Sequence, residues 1–177
     1  MKCSRTFAAL VACALALPLF ASARAQQISP SIHFGGTGGI SLPLSDYSTT
    51  HDLGYYISGL GEGQPAGAPF RIRGEVSYSG YNYKGGGAND NILGFIGDLV
   101  LPAPSVGPGF YGIGGIGLYH LSRAGGGVTE NDFGINFGAG IKWQLADMST
   151  FAEVRYHYIS SAGASTQIIP ITFGVIF

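Results

Sequence analysis

From Ile169 to Phe177 the chain alternates: Ile169, Ile171, Phe173, Val175 and Phe177 fall on one parity, Thr172 and Gly174 on the other. Successive side chains of an extended strand point to opposite faces. This segment therefore reads as a strand with one apolar wall, finishing on an aromatic ring, which suits a strand that seals a transmembrane barrel. The same alternation recurs upstream. Strands are expected at about 31–44, 53–62, 70–83, 91–101, 109–123, 132–145, 150–160 and 167–177. The breaks between them carry turn chemistry. Ser45–Asp52 is polar, Gly61–Pro69 holds Gly61, Gly63, Pro65, Gly67 and Pro69, and Pro102–Gly109 holds three prolines. Glycine and proline punctuate turns through their own conformational limits. About ten residues per strand, rising about 3.3 Å each and tilted near 45°, cover roughly 25 Å, the height of the apolar band of a membrane barrel.

Alternation alone leaves open which face is outside. Charge decides it. A soluble domain has about 25% charged residues; this chain has 11% and a positive mean hydropathy. That is too little to coat a solvated wall. The charges also share parity. Arg71, Arg73 and Glu75 oppose Phe70, Ile72 and Val76; Glu153, Arg155 and His157 oppose Ala152, Val154 and Tyr156. Asn136, Lys142 and Gln144 oppose Phe133, Ile135, Phe137, Ile141 and Trp143, and Asp98 faces away from Phe95, Leu99 and Leu101. The charged faces are expected to line a lumen. Tyr55, Tyr78, Tyr111, Tyr119, Trp143, Phe151, Tyr156, Tyr158 and Phe177 are expected mostly at strand ends or on the apolar parity, where aromatic girdles meet the water interface.

At the other end Lys2 and Arg5 precede an apolar run, Phe7 to Ala21, and the small-x-small site Ala23-Arg24-Ala25. This has the form of a secretory signal peptide, 1–25, leaving a single domain, 26–177. Leu10-Val11-Ala12-Cys13 has the look of a lipidation site, but about half of the apolar run would then remain in the mature protein. Both cysteines leave with the signal, so no disulfide or thiol chemistry is expected. Three of the nine Lys+Arg and none of the ten Asp+Glu lie in the signal, so the mature chain carries a net charge of −4. That balance argues against a nucleic-acid partner.

Together, the cleavable signal, the stretches Tyr111–Tyr119 and Phe133–Trp143, Phe151-Ala152-Glu153-Val154-Arg155-Tyr156 and the terminal Phe177 resemble the small outer-membrane β-barrel superfamily: the OmpA transmembrane domain, the OmpX-type barrels and the opacity-like proteins. The resemblance implies an all-β, eight-stranded antiparallel up-and-down transmembrane β-barrel with both termini periplasmic. It implies outer-membrane lipids, the outer-membrane assembly machinery and periplasmic chaperones as partners, with Phe177, Val175 and Phe173 as the assembly signal. A monomer is expected. Adhesin-like relatives have long external loops; here 45–52, 84–91, 123–131 and 161–166 are no longer than the turns opposite, which argues against host-cell adhesion.

Eight strands enclose an interior just wide enough for side chains to fill. Arg71, Arg73, Lys142 and Arg155 against Glu75, Asp98 and Glu153 form the expected lumen ion-pair network, since charges so enclosed need partners. Lumen-side Gly134, Gly138 and Gly140 leave room either for water or for long side chains. The expected function is therefore a structural or surface-interaction barrel with a filled lumen, with a narrow pore for ions or small solutes as the alternative. A more distant alternative is a lipid A-modifying hydrolase, because His120-x-Ser122 places two catalytic residue types on one strand face, with Glu130 available to orient the ring. That match is three residues long, and no catalytic residue is assigned. His33, His51 and His157 are dispersed, so neither metal nor cofactor is expected. The glycine clusters Gly35–Gly39 and Gly112–Gly117 precede no helix, so they lack the setting of a nucleotide-binding loop.

Overall fold

A computed structural model describes residues 31–86, 89–103, 105–107, 109–123, 129–161 and 164–177. The signal expected at 1–25 lies outside the described residues. Eight antiparallel strands follow one another around a closed barrel: β1 (Ile32–Leu44), β2 (Gly54–Gly63), β3 (Arg71–Asn82), β4 (Asn89–Pro102), β5 (Phe110–Ser122), β6 (Thr129–Leu145), β7 (Met148–Ser161) and β8 (Ala164–Ile176). Every strand expected from the alternation is present, with its ends shifted by a few residues.

Closure is made by β1 against β8, in register from Gly35↔Ile176 to Leu44↔Gln167. It leaves no free strand edge, so backbone groups find partners without water. The ladder between β7 and β8 is interrupted once. Pairing runs to Val154↔Ile171 and resumes at His157↔Ile168, skipping the level of Pro170, whose nitrogen carries no hydrogen to donate.

The wall is apolar. Ile57, Ile72, Val76, Phe95, Leu99, Ile116, Leu118, Ile135, Phe137, Val154, Ile171 and Phe173 all face outward and are exposed. The opposite parity faces inward and holds Arg73, Glu75, Asp98, Glu153, Arg155 and His157, all buried. This polarity is the inverse of a water-soluble barrel. A continuous apolar belt of this extent exceeds by far what a soluble monomer exposes, and it matches the lipid-facing band of a membrane barrel.

Three aromatics differ from expectation. Tyr111, Tyr119 and Phe151 point inward and are buried. Phe151 shares parity with Glu153 on β7, and Tyr111 and Tyr119 share that of Ile113 and Leu121 on β5. Their bulk fills the lumen instead of lining its outer rims. Tyr55, Tyr78, Trp143 and Phe177 do face outward and are exposed.

The polar break at Ser45–Asp52 folds into a short helix, α1 (Ser45–Thr50). Ser45 enters it with a left-handed backbone, φ 53°, and the hydroxyls of Ser48 and Thr49 donate to the carbonyls of Ser45 and Asp46. Short polar side chains that bond back to nearby carbonyls can hold such a turn without a buried face.

Candidate functional site

The interior has two zones. Near the end that carries the termini, a chain of ion pairs crosses the lumen. Lys142 Nζ on β6 donates to Glu62 Oε1 on β2 at 2.6 Å. Glu62 Oε2 accepts from Arg73 on β3, from Nε at 3.1 Å and from NH2 at 2.8 Å. Arg73 NH1 donates to Glu153 Oε2 on β7 at 2.8 Å, an oxygen that also accepts from the Tyr111 hydroxyl at 2.7 Å. Arg155 continues the chain. Its Nε lies 2.8 Å from Glu153 Oε1, close enough for an ion pair, although the N–H points off the line of a hydrogen bond. Its NH2 donates to both oxygens of Glu75 at 2.7 Å, and its NH1 to Asp98 Oδ2 at 3.1 Å. Asp98 Oδ1 accepts from Asn136 Nδ2 at 2.8 Å, and Glu75 Oε1 from the Tyr56 hydroxyl at 2.7 Å.

Arg73 and Arg155 are sealed from solvent, at 0% and 1% exposure. A guanidinium so enclosed is tolerable only because its donors meet carboxylates; an unpaired charge at that depth costs several kcal/mol on the order-of-magnitude scale for buried ions. Arginine is the residue suited to this, since its planar fork reaches several acceptors at fixed angles. Arg73 also lies over the Phe151 ring, 4.9 Å from its centroid.

Seven charges expected in the lumen are thus placed. Arg73, Glu75, Asp98, Glu153 and Arg155 are sealed within the network. Lys142 sits at its edge, and Arg71 is looser still, with Nε 3.7 Å from Glu62 Oε1 and a side chain 35% exposed at the mouth. The residue missed by sequence reading is Glu62, the partner of Arg71, Arg73 and Lys142. It shares β2 parity with Tyr56 and Leu60, and the imbalance of four cations against three carboxylates was the signal for it; its place between Gly61 and Gly63 reads instead as turn.

The other zone is mainly apolar, with Ser41, Ser79, Asp90 and Thr166 buried at the same levels. Tyr81, Ile92, Ile96, Tyr119, Leu121, Ile159 and Ile168 pack together inside the barrel, with Tyr47 of α1 against them. Tyr47 stacks on His51 with ring centroids 3.9 Å apart, and His51 Nε2 meets Asp90 Oδ2 at 3.1 Å. Between the zones His157 is fully buried, its Nδ1 within 2.9 Å of the Tyr119 hydroxyl.

The lumen-side glycines make room for side chains. A methyl at Gly134 would meet the Tyr119 ring at 2.7 Å, and one at Gly138 would meet Arg155 Cγ at 2.8 Å. One at Gly140 would collide with the Tyr111 ring, and one at Gly174 with Phe151. The missing Cβ atoms are the space that these large side chains occupy.

His120 and Ser122 lie on the outward parity of β5 at the end opposite the termini. His120 Nδ1 pairs with Asn131 Oδ1 at 2.8 Å, its neighbour across the ladder; the Glu130 side chain is outside the described residues. The three remaining histidines occupy three levels: His33 at the mouth near the termini, His157 mid-lumen, His51 under the cap.

Among solved structures the chain is similar to Neisserial surface protein A, with a TM-score of 0.61 at 13% identity over 82% of this chain and 95% of that one. The fold is that of the small outer-membrane β-barrels. The Yersinia pestis outer membrane protein Ail gives a TM-score of 0.52 at 10% identity, over 83% of this chain and all of that one. No protein-family model matches the chain, and no curated protein matches it in sequence. The likeness is therefore one of architecture, reached with few shared residues.

Proposed function

We propose that this chain is an outer-membrane β-barrel protein of structural or surface-interaction type, closed to ions, with both termini in the periplasm and no catalytic activity. The observation that carries this reading is a lumen filled along its length, by a paired ion network in one half and an apolar layer capped by Tyr47 in the other. Ions would have to break pairs in the first half and shed their water to enter the apolar second. The apolar wall supports a membrane setting, and the outer-membrane and surface settings named for the two similar structures support the outer membrane in particular. His120 is engaged by Asn131 on the outer wall, away from the enclosed carboxylates, which gives no support to a triad.

Refolded protein in planar bilayers tests the closed lumen. We expect no unitary current steps; a reproducible single-channel conductance replaces this reading with the narrow pore. Lipid A incubated with the same preparation should release no fatty acid, and turnover that disappears in His120→Ala and in Ser122→Ala overturns the non-enzymatic reading. Fractionation with the outer membrane and a mature start at Gln26 are expected, with lipidated Cys13 as the contrary result.

A further inference from the structure

The lumen network is balanced overall but not along its length. At the mouth beside the termini Arg71, Arg73 and Lys142 surround one carboxylate, Glu62. Deeper in, Arg155 faces three, Glu75, Asp98 and Glu153. Within the network the mouth end is therefore the positive pole and the mid-lumen the negative one, with Asp147 and the terminal Phe177 bordering the vestibule outside it. Arg73 spends its donors on Glu62 and Glu153. Arg71 and Lys142 do not. Arg71 has a single loose contact, and Lys142 makes one hydrogen bond from an ammonium that has three N–H groups.

These two cations border a cavity of about 330 Å³ that crosses the rim between the β4–β5 turn and β6. Its inner side is Arg71, Lys142, Gln144 and Ser149; its outer side is Phe110 and Trp143, both exposed on the wall. The backbone fixes the two sides of the notch to one another: Gly109, with φ 81°, accepts a bond at its carbonyl from Lys142 N at 2.9 Å. Aromatic rings at this position mark the level where headgroups meet hydrocarbon. Asp147 borders the adjacent vestibule but not the notch.

We propose that this notch binds an anionic phospholipid, its phosphate on Arg71 and Lys142 and its acyl chains along Phe110 and Trp143. A free oxyanion would use only the inner half; an amphiphile matches both halves, in the order in which the notch presents them. The inference rests on the membrane placement proposed above, but binding in micelles is read separately from fractionation, so either can fail without the other.

Trp143 is the chain's one tryptophan, so its fluorescence reports on the notch. Protein refolded in dodecyl maltoside is titrated with phosphatidylglycerol or phosphatidylcholine carrying brominated acyl chains. We expect the glycerol lipid to quench at lower mole fraction. Arg71→Gln should weaken that preference about fivefold, the effect of roughly one cation near a lipid surface, with heat-modifiable gel mobility unchanged to show that the barrel is folded. Lys142→Gln should act likewise. Equal quenching by both lipids in the wild type, or a preference that survives in both variants, overturns the proposal. So does loss of the preference in millimolar inorganic phosphate but not in sodium chloride of equal ionic strength, which would make the notch a free-oxyanion site.

Discussion

Arg155 offers its guanidinium to carboxylates on three strands, Glu75 on β3, Asp98 on β4 and Glu153 on β7. Arg155→Met leaves Glu75 and Asp98 enclosed without a cation, while Glu153 keeps Arg73, and we expect a loss of roughly 3–5 kcal/mol, the range for breaking a buried pair. Arg73→Met should fall in the same range. Arg71→Met should cost under about 1 kcal/mol, because its charge is partly solvated and its contact is long. Urea midpoints of refolded protein give the order; unchanged midpoints for both Arg73 and Arg155 would show that water already reaches them. The glycines offer a second comparison. Gly134→Ala pushes a methyl into the Tyr119 ring, an overpacking worth roughly 1–3 kcal/mol. Gly97→Ala meets nothing within 4 Å and should be neutral. Equal midpoints for the two would mean that the space beside Gly134 is open.

At the scale of the strand, β8 seals the barrel, and Phe177 is its outermost feature. The ring is 69% exposed, and the residue's backbone N–H donates to Phe34 O at 2.9 Å. In a closed barrel Phe177→Ala keeps that backbone bond and loses one lipid-facing ring, at most a few kcal/mol. During insertion we expect the position to matter more, since β8 has unpaired backbone groups until it docks on β1. We expect Phe177→Ala to lower outer-membrane yield in cells far more than it lowers heat-modifiable mobility of refolded protein. Wild-type yield, or equal losses in both assays, would count against a signal role for this residue. The α1 cap is the contrasting element: it is short and polar, and it is held by Tyr47 and His51 rather than by any apolar stripe.

Over the whole molecule, the proposed closed lumen amounts to two barriers in series along the barrel axis. One is electrostatic, from Glu62 to Asp98; the other is apolar, from Ile96 to Tyr47. Removing one leaves the other. Tyr47→Ala should therefore loosen the cap, seen as faster hydrogen exchange at Ile92 and Leu121, yet pass no current in planar bilayers. Unitary conductance in Tyr47→Ala alone would mean that the ion network is no barrier, and that the cap by itself closes the lumen.

Period-2 alternation, low charge and shared parity of the charged residues determined the eight strands, the inverted polarity and the inward placement of Arg73, Glu75, Asp98, Glu153 and Arg155. These are local properties: a strand's two faces are set by its own residues, and turns by their own glycines and prolines. Parity even contained the correct place of Phe151, beside Glu153, although its aromatic character suggested the girdle. What the tertiary structure alone decided was who meets whom. Glu62 and Arg73 are paired across β2 and β3, but the contacts of Arg73 with Glu153 and of Arg155 with Glu75 and Asp98 cross the lumen. The division into a charged half and an apolar half depends on the height of each residue along the barrel axis. That height is a product of register between neighbouring strands and of closure between β1 and β8, and no single strand encodes it.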